Sequence, residues 1–422
     1  MKDFDDKLDI LLDWLRSNAS SAFVSPKITV KNAPDSGRGL YATAQIAAVE
    51  EIVNISHSLL LNFTTALTHV GKFAGFRLNE PYYAKVVVPS TPQDEVTQVY
   101  GKFTLDGVLK LSSFQFLSVY LVLERRRGGN SFWKPFLDML PELDELSLAP
   151  FVWTLLELPG HENLTKYLPR STRKHTEKVL QRFETDYSVS SEFLGSVHID
   201  RTEFLWAWMC INSRCLYMEM PQKTDSSDNF TLAPYVDFLN HSGNDECGIK
   251  IDSHGFHVLT STTYSPGAEL YFSYGPHSNE FLLCEYGFTL PQNRWNYIDV
   301  SDYLTPLLRP QQVAFLKEAG YYADYTINDS GISFRTEIAL ATLQENDPSS
   351  SRKLRAFVDG MTDGTVYQNK SQTLLSHILK KIVNDCDKKL SVDASDARMK
   401  AIATLYNDTK TLAEKTLQDF SP

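Results

Sequence analysis

The sequence predicts an α+β fold in which two strand-rich segments are separated by a helical insertion and followed by a helical region. Short runs of β-branched residues bounded by Pro, Gly, Asn and Ser occur between residues 22 and 100 and again between 249 and 274. Apolar residues at helical spacing fill the stretch from about 108 to 212 and the chain beyond Pro291. A chain of 422 residues is long enough for two or three domains, each with its own core.

These patterns predict five segments along the chain. They are an N-terminal helix (1–21), a first strand-rich part (22–107), a helical insertion (108–212), a second strand-rich part (213–290) and a helical region (291–422). The first helix is indicated by an amphipathic pattern that includes Phe4, Leu8 and Leu15. The strand runs of the second segment are 28–30, 52–55 and 85–88. Apolar stripes over 374–390 and 402–417 predict long helices in the last segment.

The composition excludes several classes of protein. The formal charge is −11, whereas a protein that binds the nucleic-acid backbone is expected to be basic. The five cysteines include no Cys-x-x-Cys pair, so neither a disulfide framework nor a zinc ribbon is predicted. The N-terminus is acidic and lacks the apolar run of a signal peptide, and the most apolar stretch, 114–123, has about half the length of a membrane span. We therefore expect a soluble protein of the cytoplasm or nucleus that does not recognise nucleic acid directly and does not bind a membrane. We also expect a monomer.

Two short motifs lie on either side of the predicted insertion. In Gly37-Arg38-Gly39-Leu40-Tyr41, two glycines allow the backbone to approach a ligand closely, and a plain tight turn is the alternative. In Asn212-Ser213-Arg214, the arginine follows an apolar helix. It could bind a ligand or satisfy carbonyl groups at the helix end.

The third motif, Asp237-Phe238-Leu239-Asn240-His241, places polar residues in an apolar run. Because unpaired polar groups are costly in apolar surroundings, these side chains are expected to bond to each other, to the backbone or to a polar ligand. A histidine satisfied within the core is one alternative. A metal site is another, built from Asp237, His241, Asp245 and Cys247 with His254 or His257. That spacing fits no standard site, so we predict no metal.

Two Tyr-Gly pairs form the fourth motif. Tyr274-Gly275 ends a predicted strand, and Tyr286-Gly287-Phe288 follows it twelve residues later. Aromatic residues beside glycines are also typical of packing at turns, so this motif is not specific by itself.

In this order the four motifs resemble those of SET-domain methyltransferases. The closest resemblance is to the class of the Rubisco large-subunit methyltransferase, and within it to the fungal ribosomal-lysine methyltransferases. Members of that class have a SET fold split by a helical insertion and a helical substrate-binding region. Further matches are the stretches 131–141, 315–321 and 324–326. No cysteine cluster follows Phe288, so the zinc-binding element of many histone enzymes is not expected.

The resemblance implies a role for each matching residue. Tyr274 would be the catalytic phenol, Tyr286 would line the lysine channel, and Phe288 would pack against the cofactor's adenine or ribose. Arg214 and Asp237 would also contact the substrate. The implied S-adenosylmethionine-binding set is Gly37, Arg38, Gly39, Leu40, Tyr41, Arg214, Asp237, Asn240, His241, Tyr274 and Phe288.

The implied activity is lysine N-methylation of a non-histone protein, with a ribosomal protein or a translation elongation factor as the expected substrate. The acidic charge suits a lysine-rich partner. A protein-histidine methyltransferase is one alternative, and the tyrosine at Tyr286 argues against it because the histidine enzyme of this class departs there. A catalytically silent binding scaffold is the other, and the intact Tyr274, Asn240 and His241 argue against that.

A basic segment in the insertion has two interpretations. Its cations are Lys166, Arg170, Arg173, Lys174, Lys178 and Arg182. We interpret the segment as the solvated face of a helix, and docking of ribosomal RNA or an acidic partner is the alternative.

Overall fold

The computed structural model describes residues 2–33, 37–78, 93–220, 228–243, 247–391 and 396–420. The predicted strand run 85–88 and the metal-site candidate Asp245 lie outside these ranges. Within the described ranges, no helix combines the length and the apolar character needed to span a membrane.

Fourteen strands occur in the described residues, and most are short. In chain order they are β1 (Phe23–Val24), β2 (Ile28–Ala33), β3 (Gly37–Ala42), β4 (Glu51–Ile55), β5 (Leu61–Asn62), β6 (Leu216–Tyr217), β7 (Phe230–Leu232), β8 (Asn240–His241), β9 (Gly248–Asp252), β10 (Gly255–Leu259), β11 (Glu269–Phe272), β12 (Tyr297–Asp299), β13 (Thr326–Asn328) and β14 (Gly331–Ile332).

Seventeen α-helices accompany these strands in the described part of the chain. They are α1 (Lys2–Asn18), α2 (Phe63–Ala74), α3 (Glu95–Tyr100), α4 (Leu105–Leu109), α5 (Ser113–Arg127), α6 (Lys134–Leu137), α7 (Pro150–Leu155), α8 (His161–Tyr167), α9 (Arg170–Leu194), α10 (Arg201–Arg214), α11 (Asn279–Tyr286), α12 (Ser301–Leu304), α13 (Pro310–Glu318), α14 (Phe334–Leu343), α15 (Arg352–Val358), α16 (Thr365–Leu390) and α17 (Ala397–Asp419). The predicted α+β class is confirmed, with helices between the two strand-rich parts.

Internal contacts divide the chain into two compact units. The first unit comprises Met1–Ser147 and Lys178–Gly275, and the second comprises Leu148–Glu177 and Pro276–Pro422. The boundary falls inside α9, so the predicted insertion contributes residues to both units. The five predicted segments divide the chain by sequence order, whereas the two units group residues that contact one another in the folded protein.

Three small sheets occur among the described residues of the first unit. Their strand orders are β1-β4-β10-β9, β2-β3-β11-β8 and β5-β7-β6. The helices α5 and α10 are apolar on most of their faces, as expected for helices buried on all sides. They pack against each other, with Phe116 and Tyr120 of α5 and Phe204 and Trp208 of α10 almost fully buried.

A buried polar network holds the helices of the first unit. The side chains of Glu124 and Arg127 on α5 are fully buried and form an ion pair at 3.0 Å. Glu124 also accepts hydrogen bonds from the Tyr100 and Ser131 hydroxyls at 2.9 and 2.6 Å. These bonds satisfy groups that would be costly to bury alone. His69 lies in the same network, and burial lowers its pKa to about 3.

The second unit is built on long helices. The buried faces of α16 and α17 pack against each other and include Leu375, Ile378, Ile382 and Leu412, which lie on the predicted apolar stripes. The expectation of a helical C-terminal region is confirmed. The sequence did not predict the small sheet β12-β13-β14 within it, whose strands have only two or three residues.

The basic segment of the insertion is partly engaged within the protein. Arg170 and Lys174 pair with Asp302 at 3.0 and 3.4 Å. The Arg182 guanidinium lies over the Trp208 ring, 5.5 Å from its centroid. The segment is not a single helix, because Lys166 lies in α8 and the other five cations lie in α9. The interpretation as an outer helix face fits α9, where Arg170, Lys174, Lys178 and Arg182 are exposed, and docking of a partner there stays a prediction.

Candidate active site

Three sequence motifs come next to one another in the sheet β2-β3-β11-β8. Strand β11 runs antiparallel to β3 and pairs Glu269 with Tyr41. On its other side, β11 runs parallel to β8 and pairs Tyr271 with Asn240. Leu40 is fully buried and lies opposite Val30 of β2 and Leu270 of β11, so its predicted contact with the cofactor stays a prediction. The sheet thus gathers the Gly-x-Gly strand, the Asn-His pair and the strand that leads to the first Tyr-Gly pair.

Tyr274 is fixed by three contacts within this first unit. Its backbone N–H donates to His241 Nδ1 at 3.1 Å, and the two rings stack with centroids 5.1 Å apart. Its hydroxyl donates to the carbonyl oxygen of Leu239 at 2.7 Å. His241 Nδ1 also lies 3.4 Å from the Phe272 carbonyl oxygen, and it accepts the shorter bond from Tyr274 in the tautomer that carries its proton on Nε2. The hydroxyl proton of Tyr274 is likewise committed, so the phenol can act toward a substrate only as an acceptor.

Arg214, which is partly exposed, and the buried Asp237 side chain form an ion pair with unused hydrogen-bonding capacity. Arg214 is the last residue of α10, and its Nη1 donates to the Asp237 carbonyl at 2.9 Å and to its Oδ2 at 3.2 Å. Burial raises the pKa of Asp237, although Arg214 and Arg38 oppose this shift. Asp237 Oδ1 and Arg214 Nε are buried without a hydrogen-bond partner among the described residues. A polar ligand could satisfy both atoms.

Each of the two glycines of the first motif is required for a different structural reason. Gly37 has φ +68°, a left-handed conformation that favours glycine. A Cβ on Gly39 would lie within 3.0 Å of Glu269 and Asn240 side-chain atoms, closer than real Cβ atoms approach. The backbone of β3 therefore passes directly against these two polar side chains.

The Arg38 side chain has structural partners of its own. Its guanidinium donates to the Met139 carbonyl at 2.6 Å and to Glu145 Oε1 at 3.0 Å. Burial, with the nearby charge of Arg214, lowers its pKa. Because these contacts engage the guanidinium, we expect Arg38 to contact the cofactor through its backbone and not through its side chain.

Glu269 is a central residue of the site that the sequence motifs did not single out. Its carboxylate accepts hydrogen bonds from Asn240, Tyr41 and Tyr271, at 2.8, 2.9 and 2.9 Å. The signal was present in the alternation of β11, because Glu269 and Tyr271 are two residues apart and share one face of the strand.

Tyr286 and Phe288 belong to the second unit. Tyr286 ends α11, and Gly287 follows it as a left-handed cap with φ +81°. A Cβ at Gly287 would lie 3.2 Å from the Ala149 backbone nitrogen, so this position requires glycine for conformation and for space. The Tyr286 and Phe288 rings lie 6.1 Å apart. Their roles as channel wall and cofactor contact stay predictions.

The alternative metal site receives no support from the described residues. Among these, no group of three or more His, Cys, Asp and Glu side chains could hold a metal ion. His257 instead lies between two carboxylates, with Nδ1 2.8 Å from Glu51 and Nε2 3.0 Å from Asp252. Cys247 Sγ lies 3.9 Å from the Tyr264 hydroxyl.

Two family models match the chain. The model of the SET domain matches residues 37–275, which is more than half of the chain. The model of the ribosomal lysine N-methyltransferase 2 C-terminal domain matches residues 296–419.

Individual relatives match over most of the chain. Ribosomal lysine N-methyltransferase 2 of Saccharomyces cerevisiae is 29% identical, over 98% of this chain and 99% of that protein. Ribosomal lysine N-methyltransferase set11 of Schizosaccharomyces pombe is 29% identical, over 67% of this chain and 73% of its own. A crystal structure of the SET domain of LSMT bound to lysine and AdoHcy has a TM-score of 0.61 at 15% identity, covering 98% of this chain and 91% of that chain. This last likeness confirms the predicted fold.

Proposed function

The chain belongs to the SET-domain family, and we propose that it is an S-adenosylmethionine-dependent protein-lysine N-methyltransferase whose substrate is a ribosomal protein. One structural observation carries the proposal. The sheet β2-β3-β11-β8 presents a glycine strand, an Asn-His pair and an oriented tyrosine, Tyr274, side by side. The names of the two yeast relatives support the substrate class, as does the C-terminal model over 296–419.

The residues of the first unit fit the proposed cofactor. S-adenosylmethionine carries an amino-acid part with both an ammonium and a carboxylate. Asp237 Oδ1 and Arg214 Nε are an acceptor and a donor without partners among the described residues, and they could serve these two groups. Gly39 brings bare backbone close to Asn240, where the Cβ of a larger residue would clash with the Asn240 and Glu269 side chains. We therefore assign cofactor binding to the backbone of 37–41, to the Arg214 and Asp237 pair, and to Asn240 and His241.

The proposed reaction is mainly a problem of alignment. The cofactor supplies a methyl group on a positively charged sulfur, and its transfer to an amine is an in-line displacement. The substrate lysine must be neutral to attack, which costs about 4–5 kcal/mol at pH 7 because its ordinary pKa is near 10.4. Tyr274 would accept a hydrogen bond from the lysine amine and so orient its lone pair. His241 Nδ1 is committed to the Tyr274 backbone, so we assign it no role as a general base through that atom.

The remaining parts of the proposal rest on resemblance. Tyr286 would wall the lysine channel, Phe288 would contact the cofactor, and Arg214 and Asp237 would also contact the substrate. We propose that the protein acts in the cytoplasm or the nucleus, because ribosomal proteins are made and assembled in these compartments. That it is a monomer stays a prediction.

Labelled S-adenosylmethionine tests the proposal. Purified protein is incubated with ribosomes and with an elongation-factor fraction, both from cells that lack endogenous lysine methyltransferases, and mass spectrometry locates the label. We expect the label on a lysine of a ribosomal protein and its loss when that lysine becomes arginine. Label on a histidine would overturn the lysine assignment, and label only on an elongation factor would overturn the ribosomal one. Cofactor binding without any transfer would favour the scaffold.

A further inference from the structure

Glu269 joins three side chains of the candidate site through one carboxylate. Its Oε1 accepts from Asn240 Nδ2 at 2.8 Å, and its Oε2 accepts from the hydroxyls of Tyr41 and Tyr271, both at 2.9 Å. All three partners are donors, the pattern that an acceptor-only carboxylate requires. The two oxygens therefore have different partners: Oε2 accepts hydrogen bonds from the two tyrosine hydroxyls, and Oε1 accepts one from the Asn240 amide.

We propose that Glu269 is a positioning residue that fixes the Asn240 amide so that its oxygen, Oδ1, is the atom presented to the cofactor. The inference rests on the proposed function, in which Asn240 binds S-adenosylmethionine. A rotated amide would bring Oδ1 against Glu269 Oε1, lose a charge-assisted hydrogen bond and place two acceptors in contact. Glu269 thus selects one of the two amide orientations, and the site takes a cofactor group that donates a hydrogen bond.

The pairing of the strands fixes the position of the Glu269 carboxylate beside Asn240. Tyr41 lies directly opposite Glu269 in the antiparallel pair of β3 and β11, where side chains on one face are neighbours. Tyr271 is two residues further along β11 and points to the same face. Asn240 is paired with Tyr271 from the other neighbouring strand. Three adjacent strands therefore fix the orientation, and no flexible loop contributes to it.

Gly39 provides the space for this arrangement. A Cβ there would meet Glu269 Oε1 and, at 2.9 Å, Asn240 Nδ2, the two atoms that form the selecting hydrogen bond. A side chain at residue 39 would have to push these atoms apart. The second glycine of the Gly-x-Gly motif is thus needed for Glu269 to reach Asn240.

Glu269→Gln separates orientation from packing. Glutamine has nearly the same volume as glutamate, but its side-chain amide can either accept from Asn240 or donate to it, so the Asn240 orientation is no longer enforced. We expect the Kd of S-adenosylmethionine, measured by titration calorimetry, to rise about tenfold, since a factor of ten corresponds to one modest hydrogen bond. We expect kcat at saturating cofactor to change less than threefold, because Glu269 does not touch the reacting atoms.

A double-mutant cycle tests whether Glu269 acts through Asn240. In the Asn240→Ala background, Glu269→Gln should cause no further loss of affinity, because the group to be oriented is gone. The control is Glu51→Gln, the same substitution at a strand carboxylate that bonds to His257 at 2.8 Å in another sheet. It should bind the cofactor with wild-type affinity.

The outcomes separate this inference from the proposed function. If the wild-type protein does not bind S-adenosylmethionine, the proposed function fails. If it binds and Glu269→Gln keeps wild-type affinity, or loses the same factor with and without Asn240, the positioning role is wrong. Should Glu269→Gln fail to fold, Gly39→Ala serves instead. It should weaken cofactor binding at least tenfold in the wild-type background and clearly less in Asn240→Ala, and equal losses would overturn the role.

Discussion

Replacing Tyr274 by phenylalanine should abolish most turnover and leave cofactor binding intact. The substitution removes only the hydroxyl group. The ring remains to stack on His241, and the backbone N–H bond to His241 Nδ1 is unaffected. The features that hold Asn240 and His241 in the sheet therefore persist, and the Kd of S-adenosylmethionine should change less than threefold.

The Tyr274 hydroxyl contributes a small amount to the stability of the fold and a larger amount to the proposed catalysis. Its structural role is one hydrogen bond to the Leu239 carbonyl at 2.7 Å, and such a bond contributes about 0.5–1.5 kcal/mol to folding. The free energy of unfolding of Tyr274→Phe should fall by about 1 kcal/mol. In the reaction the hydroxyl is the proposed acceptor for the lysine amine. Loss of one preorganised hydrogen-bonding group typically lowers kcat about 10²- to 10³-fold.

The assay needs kcat, KM for the protein substrate and calorimetric Kd for the cofactor. Tyr187→Phe is the matched control, because the Tyr187 hydroxyl also donates to a backbone carbonyl, that of Ile199, at 3.1 Å. The control should show a similar loss of stability and normal turnover. Wild-type kcat in Tyr274→Phe would refute the catalytic assignment, and a parallel loss of cofactor affinity would refute the separation of the two roles.

Three further predictions concern buried titratable side chains in the first unit. Asp237→Asn should weaken S-adenosylmethionine binding at least tenfold in calorimetry, because the partly paired carboxylate is lost, and unchanged affinity would place the cofactor elsewhere. Glu124→Gln leaves Arg127 buried with Asp94 as its remaining carboxylate, so denaturant unfolding should show a loss of about 3 kcal/mol, and a loss below 1 kcal/mol would contradict this account. Burial lowers the pKa of His69 to about 3, so the unfolded chain alone binds this proton between pH 6.5 and 3 and stability falls as the pH falls. His69→Gln should reduce that slope by about 1.4 kcal/mol per pH unit, and an unchanged slope would show that His69 does not titrate on unfolding.

The sequence predicted the parts of the site whose signal is local. Gly37 needs a left-handed backbone, and Gly287 needs both that backbone and space beside Ala149, so glycine marks both positions in the sequence. Asn240 and His241 were recognisable because polar residues in an apolar run must find partners. Glu269 was missed because its importance depends on strands distant along the chain. Only the pairing of β11 with β3 and β8 shows that its carboxylate faces Asn240.

Other differences between sequence and structure have a similar cause. Strands of two or three residues, such as β14 (Gly331–Ile332), are too short for a period of two to be distinguished from chance. The helix α9 has one continuous amphipathic pattern, yet its residues divide between two compact units at Lys178. Contacts between distant segments decide this division, and hydrophobic periodicity does not report them.

The hydrogen bonds of the first unit indicate that the side chains of the candidate site align the reactants and do not serve as a general base. The Tyr274 hydroxyl donates a hydrogen bond to the Leu239 carbonyl oxygen, and the Tyr274 backbone N–H donates to His241 Nδ1. The hydrogen-bonding roles of the Tyr274 hydroxyl and of His241 Nδ1 are therefore set before any substrate arrives. Glu269 is engaged by three donors, which leaves its carboxylate occupied with orienting Asn240. Side chains committed in this way are poorly suited to accept a proton during the reaction, and they are well suited to hold reactants in line. A methyl transfer whose acceptor arrives as a neutral amine requires this kind of site, since its rate depends on alignment more than on a general base.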